Sequence, residues 1–364
     1  MFTHYEIKKR DIRAIEARSF APPPLGAGCI RVAIQRVALT ANNVTYAASG
    51  DALRYWSFFP PAAGGNDGVG LVPVWGIATI LESTLADLAT GEQIYGFWPL
   101  ASHVDLEPAR ISAGSFVDDA AHRQELPEIY NRYLRLTGAL GALEPDMQDR
   151  LSLLFPLYAT SFLLDDFLAE AGWFGADELM ITSASSKTAI GLARQSRQHA
   201  QHPQVVGLTS RNNADFVASL GWYDRVVTYD EVPAALGDGQ PMLVDLAGNT
   251  ALRAAVHAHF GDRLRYSCAV GTSHWDTFNP AERMPAGPKP VFFFAPAQSK
   301  KRRQEWGAEQ LQQKMFESWR DFAAQSRQWL NVQSVTGSAA IGQAWQAVAG
   351  GQVDPASGMV LSFD

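Results

Sequence analysis

Between Glu178 and Ala193 the chain runs from a short apolar stretch, through a polar turn, straight into a helix start. A second apolar stretch, Val205-Val206-Gly207-Leu208-Thr209, returns after the distance a crossover helix needs. No other feature limits the fold as much. Two apolar strands joined by one helix pair in parallel, and the crossover takes one hand. A unit of this size is the nucleotide-binding half of a doubly wound fold. Its turn lies where phosphates are held, at a helix N-terminus. That turn, Ser183-Ala184-Ser185-Ser186-Lys187-Thr188, has no glycine where the dinucleotide pattern has three.

The rest of the chain extends this unit. Strands are expected at 178–183, 204–209, 225–228, 241–246 and 264–270, with helices at 213–220 and 250–260 between them. Such alternation builds a parallel sheet covered by helices on both faces. Residues 290–296 add a buried strand, 306–329 a long amphipathic helix, and 358–363 a final strand. Upstream, the first 110 or so residues are strand-rich. Residues 29–39 alternate apolar and polar side chains, 72–83 form a second strand region, and 90–99 a turn and short strand. Glycine and proline punctuate these pieces as in a small barrel. Residues 120–150 read as loop plus helix, and 151–171 as a mostly buried helix.

With 364 residues the chain can hold two cores. Its net charge of −7 argues against nucleic acid as a general partner. Cys29 and Cys268 are far apart and lack metal-ligand spacing, which fits a reducing compartment. No signal core and no apolar run near 18 residues stands out, so the expectation is a cytoplasmic protein outside the membrane.

Candidate chemistry gathers at strand ends. Ser183, Ser185, Ser186, Lys187 and Thr188 suit a pyrophosphate, with Lys187 as point charge. They also suit a plain helix cap, with Ser185 or Ser186 as N-cap and Lys187 in solvent. After the next strand come Ser210 and Arg211 rather than an acid. At a dinucleotide site this favours NADP over NAD. Gly248 and Gly271 end later strands and would let a cofactor approach the backbone. In the first domain, Asn42, Asn43 and Tyr46 form a polar loop, with Tyr46 a candidate proton donor. Trp56, Phe58 and Phe59 suit an apolar or planar substrate, or a core. Asp165 and Asp166 point to different helix faces, and His257 and His259 have the wrong spacing for a metal. The run Lys300–Arg303 reads as a solvated loop or helix start. A Gly-x-Ser-x-Gly elbow is absent.

Taken together, the chain resembles the medium-chain dehydrogenase/reductase superfamily, in its zinc-independent quinone-oxidoreductase and enoyl-reductase branch, as a divergent family. The residues that carry the likeness are Asn42-Asn43-Val44-Thr45-Tyr46, Gly91-Glu92-Gln93-Ile94-Tyr95-Gly96, Tyr158-Ala159-Thr160-Ser161-Phe162 and Asp245-Leu246-Ala247-Gly248. The resemblance implies an α/β architecture: a Rossmann doubly wound parallel sheet plus a GroES-like β-barrel domain. It would place the barrel at 1–150, the cofactor domain at 151–290, and a return segment to the first domain at 291–364. It implies an NADP(H)-dependent reductase of a carbonyl or activated C=C bond in a quinone, enone or enoyl-like molecule. Tyr46 or a water would handle the proton, with Asn43 and Thr160 positioning ring or substrate. The superfamily's zinc ligands have no counterpart, so no metal is expected. A homodimer is expected by analogy. Two other readings stay open: another phosphorylated ligand, such as a coenzyme A ester, on the same scaffold, or a non-catalytic sensor or partner subunit.

Overall fold

A computed structural model of the chain describes residues 1–62, 68–232, 234–270 and 286–363. Two compact units divide it, Met1–Leu154 with Leu330–Asp364, and Phe155–Trp329. The expected return segment at 291–364 therefore starts at Leu330. Residues 291–329 belong to the second unit.

The first unit is built on strands β1 (Phe2–Lys8), β2 (Asp11–Phe20), β3 (Ile30–Leu39), β4 (Val69–Leu71), β5 (Pro73–Ser83), β6 (Gln93–Pro99), β7 (His103–Leu106), β8 (Pro108–Ala109), β9 (Ser115–Asp118) and β10 (Arg132–Arg135). The first two were not expected as separate strands. Their alternation is blurred because β2 shows a mostly exposed or half-buried face on both sides. Helix α1 (Ala41–Ala48) replaces the expected polar loop. Helices α2 (Glu128–Asn131) and α3 (Gly138–Gly141) are single turns.

β5 crosses β3 closely at Gly76, where an added Cβ would lie 2.1 Å from the Arg36 carbonyl oxygen. The register of β3 against β5 shifts between Ile34 and Arg36, beside this crossing. A bulge of that kind bends a strand and increases its twist. Below the sheet, Val32, Val74, Ile80, Trp98 and Trp345 are fully buried in one core. Trp345 Nε1 donates to the Ile12 carbonyl at 2.7 Å, so the buried indole is satisfied.

Helix α4 (Pro145–Glu170) begins earlier than expected. By length and composition it could cross a membrane, yet 61% of its most apolar window is buried inside the protein. It behaves as a core helix. Its end runs into the turn Gly172-Trp173-Phe174-Gly175, in which all four residues have positive φ, from 53° to 69°. The Phe174 ring stacks on Tyr266 at 3.8 Å, and Trp173 meets His199 edge to face.

The second unit alternates as expected: β11 (Glu178–Thr182), α5 (Lys187–Ser196), β12 (Gln204–Thr209), α6 (Ala214–Ser219), β13 (Arg225–Thr228), β14 (Pro241–Asp245), α7 (Thr250–Phe260), β15 (Tyr266–Ala269). Strand β16 is only Val291–Phe292, shorter than the expected 290–296, because helix α8 (Ala295–Trp306) starts almost at once. Helix α9 (Ala308–Ser326) follows. The order β13-β12-β11-β14-β15-β16, all parallel, reverses between β11 and β14. Leu179, Met180 and Ile181 are fully buried, as a strand covered on both faces requires. Back in the first unit, β17 (Asn331–Thr336), α10 (Ser338–Ala349) and β18 (Ser357–Ser362) close the chain, with β18 joining β3 antiparallel. The expected fold class holds: a doubly wound parallel sheet plus a β-rich domain.

Candidate functional site

In an open parallel sheet, ligands collect outside the carboxyl ends of the strands, where the order reverses. Here that point lies between β11 and β14. Thr182 ends β11, and Ser183 follows with φ +54°, a left-handed conformation usually given to glycine. Ser186 N–H donates to the Ser183 carbonyl at 2.7 Å, which closes the turn. Ser186 then caps α5, its hydroxyl accepting from Ala189 N–H at 3.2 Å. The sequence allowed Ser185 or Ser186 as cap, and Ser186 holds the place. Ser185 accepts instead from the Asn213 side chain at 2.9 Å. The Thr188 carbonyl accepts from Ser161 Oγ at 2.8 Å. Lys187 is the first residue of α5.

Two tyrosines not singled out in the sequence reach this turn. Ser183 N–H donates to the Tyr229 hydroxyl at 3.0 Å, and Tyr223 donates to the Ala184 carbonyl at 2.8 Å. Tyr229 directly follows β13, at the carboxyl end of a parallel strand, and that position was the signal available in the sequence. Burial holds its phenol above the usual range.

At the end of β14, Asp245 is almost wholly buried and fully engaged. Oδ1 accepts from Thr182 Oγ1 at 2.8 Å and from the Ala247 and Gly248 amides at 3.1 and 3.0 Å. Oδ2 accepts from Arg253 at 2.9 Å. Gly248 takes φ +68°, so its lack of a side chain is used by the turn itself. Gly271 lies outside the described residues.

After β12, Ser210 precedes a short turn, and Arg211 pairs with Asp230. The pair is exposed, with 74% and 51% of the side chains accessible. Such a pair contributes little and leaves the guanidinium free to exchange partners.

In the first unit, Asn43 is used by its own helix start. Its Oδ1 accepts from Thr40 N–H at 2.7 Å and its Nδ2 donates to the Pro73 carbonyl at 2.8 Å. Tyr46 is buried among aromatic rings, packed on Tyr55 at 4.4 Å and Phe97 at 5.5 Å. Its hydroxyl accepts from Trp75 Nε1 at 3.4 Å, and burial pushes its phenol far above the usual range. Tyr55 is half-buried, and its hydroxyl lies 3.3 Å from that of Tyr130. Phe58 and Phe59 belong to this cluster. Trp56 does not; it belongs to the main core and lies where a Cβ on Gly50 would be, 2.1 Å from its Nε1. Beneath the rings sits the buried pair of Arg123 and Asp118 at 2.8 Å, with the guanidinium 4.7 Å from the Phe59 centroid. Thr160 is half-buried on α4 in the second unit.

The remaining sequence signals are structural. Asp165 bonds Ser196 and His199, whereas Asp166 bonds Gln298 and Arg302. The two carboxylates thus face different neighbours. Of the basic run, Arg302 is buried among Asp166, Glu170 and Glu305, so it is not a solvated residue. His257 is buried and bonded to Ser267. Among the described residues no group of three or more His, Cys, Asp or Glu could hold a metal. Burial pushes the Cys268 thiol up to about 12, which leaves it unreactive.

The arrangement offers an anion three things: a tight turn, the N-terminus of a ten-residue helix opened by Lys187, and a second cation at the adjacent strand end. These fit the phosphates of a dinucleotide in kind. The family model for DUF2855, a protein of unknown function, matches residues 37–354. No curated protein matches. Solved structures share the fold across the whole chain at low identity. CurA from Vibrio vulnificus in complex with NADPH is 12% identical with a TM-score of 0.63, covering 100% of this chain and 99% of that one. The yhdH oxidoreductase from Salmonella enterica in complex with NADP is 14% identical with a TM-score of 0.54, covering 96% of each chain. The CurK enoyl reductase is 11% identical with a TM-score of 0.56, covering 100% and 99%.

Proposed function

The chain belongs to the DUF2855 family, and from that premise and the geometry above we propose that it is a zinc-independent, NADPH-dependent reductase of the medium-chain dehydrogenase/reductase type. The observation that carries the reading is the left-handed turn at Ser183, which feeds the N-terminus of α5 where the strand order reverses. The NADPH and NADP named for CurA and yhdH agree with it.

When bound, the cofactor would supply a hydride to a carbonyl or an activated C=C bond. Ser183, Ser185, Ser186, Lys187 and Thr188 would hold its pyrophosphate. Ser210 and Arg211 would hold the 2′-phosphate, with Arg211 leaving Asp230 to do so. Gly248 would flank it. The aromatic cluster around Tyr46 would favour a planar, apolar substrate and keep water away. Of its phenols, Tyr46 is enclosed and already bonded to Trp75, whereas Tyr55 is partly open and backed by Tyr130. Tyr55 is therefore the better-placed proton donor, with Tyr130 able to donate to the phenolate as it forms. Thr160 would position the ring, and Asn43 would act indirectly by fixing α1.

Titration with NADPH and NADH by calorimetry tests the reading. NADPH binding in the micromolar range, with NADH at least about tenfold weaker, supports it and corresponds to roughly 1.4 kcal/mol from one phosphate. Absence of both sinks it. The engaged amide of Ser183 favours one rival, a different phosphorylated ligand gripped by hydroxyl side chains, which coenzyme A binding would reveal. Exposed Val291 and Phe292 of the edge strand β16, with exposed Phe294 after it, support a homodimer, which light scattering would detect.

A further inference from the structure

Ser183 occupies a backbone conformation in which L residues with a side chain are disfavoured, at φ +54°. Such positions persist only where the surroundings over-determine them. The surroundings here are specific. Tyr229 accepts the Ser183 amide at 3.0 Å. Tyr223 donates to the next carbonyl, of Ala184, at 2.8 Å. Asn213 donates to the side chain of the residue after that, Ser185, at 2.9 Å. Three successive residues of the turn are each held by a side chain from the segments beyond β12. Gly207 on β12 makes room for this, since a Cβ there would come within 2.8 Å of the Tyr223 ring and 3.0 Å of Ala184 Cβ.

Tyr229 is itself held. Thr228 N–H and Oγ1 both donate to Glu231 Oε2, at 3.0 and 2.7 Å, which fixes the short turn that carries it. The residue between, Asp230, pairs with Arg211. One three-residue turn thus reaches both proposed phosphate contacts.

We propose that Tyr229 is a positioning residue that stands in for the missing glycine, holding Ser183 in the left-handed conformation that the phosphate turn requires. The inference rests on the NADPH reading of that turn. It differs from a general stabilising role in one respect: it makes Tyr229 dispensable once residue 183 can adopt the conformation unaided.

The test is a double-mutant cycle on the full chain, read as the NADPH dissociation constant by calorimetry. Ser183→Ala removes the Ser183 hydroxyl, which also bonds Tyr229, but keeps the conformational penalty, whereas Ser183→Gly removes both. Tyr229→Phe, which removes only the phenol hydroxyl, is compared in these two backgrounds. It is expected to weaken NADPH binding about tenfold in the Ser183→Ala background, and by less than about threefold in the Ser183→Gly background. Equal weakening in both backgrounds, or none in either, overturns the proposal. If the unsubstituted protein binds no NADPH, the cofactor reading fails separately. The melting temperatures of the same four proteins then decide the conformational claim: a smaller loss on Tyr229→Phe in the glycine background supports it, and an equal loss overturns it.

Discussion

The Thr182 hydroxyl donates to the buried carboxylate of Asp245 at 2.8 Å, tying the ends of the two strands between which the sheet reverses. The same hydroxyl oxygen accepts from the Leu246 and Ala247 amides at 2.9 Å each. The loop after β14 is therefore shaped by one threonine and one aspartate, and Arg253 balances the charge.

Replacing Asp245 with asparagine leaves the partly buried Arg253 without its counter-charge. Breaking one side of a buried pair costs about 3–5 kcal/mol. The melting temperature should fall by several degrees, and NADPH binding should weaken with it. An unchanged melting temperature would show that Arg253 finds another partner.

Arg211→Ala addresses the cofactor phosphate directly. NADPH affinity should fall about tenfold, roughly 1.4 kcal/mol, with NADH affinity nearly constant. Parallel losses for both would mean that Arg211 does not read the 2′-phosphate.

Proton transfer should distinguish the tyrosines. With an enone substrate and NADPH, Tyr55→Phe should lower kcat by about 10²–10⁴, the usual contribution of a general acid. Tyr46→Phe should act mainly through packing and cost less. The reverse order, measured in steady-state kinetics, would return the role to Tyr46.

His4 gives a pH dependence with a defined sign. Burial, with Arg18 nearby, lowers its imidazole from 6.5 to about 4, and its Nδ1 has no hydrogen-bond partner among the described residues. As pH falls below 6.5 the unfolded chain binds a proton that the native ring refuses, so stability is lost down to about 4. The slope approaches about 1.4 kcal/mol per pH unit in that window. His4→Gln should flatten the melting-temperature profile there. Parallel profiles for the two proteins would refute the assignment.

The parallel sheet was legible because fully buried strands such as β11 read as unbroken apolar runs, and the helices between them have their own period. The edges were harder to read. β16 shrank to two residues because α8 starts at Ala295, and within the run Val291, Phe292 and Phe294 are exposed while Phe293 is buried, since apolar composition does not tell inside from outside. The loop at Asn42–Tyr46 became a helix because Thr40 and Asn43 cap it together, and that pair was read as chemistry. At the site, residue types pointed to the right turn. They could not show that its amide was already taken, since Tyr229 lies 46 residues from Ser183.

The turn Gly172–Gly175 that ends α4 runs left-handed through two aromatic residues. For L residues this costs roughly 1–2 kcal/mol each, and the stack of Phe174 on Tyr266 opposes it. Side-chain handedness is thus a design variable at this spot, separate from side-chain chemistry. A semisynthetic protein carrying D-tryptophan at 173 would lose the backbone penalty there, whereas the same inversion one turn earlier in α4 would break the helix. Melting temperatures of the two semisynthetic proteins would separate the effects, and destabilisation by both would show that the aromatic contacts, not the backbone, dominate this corner.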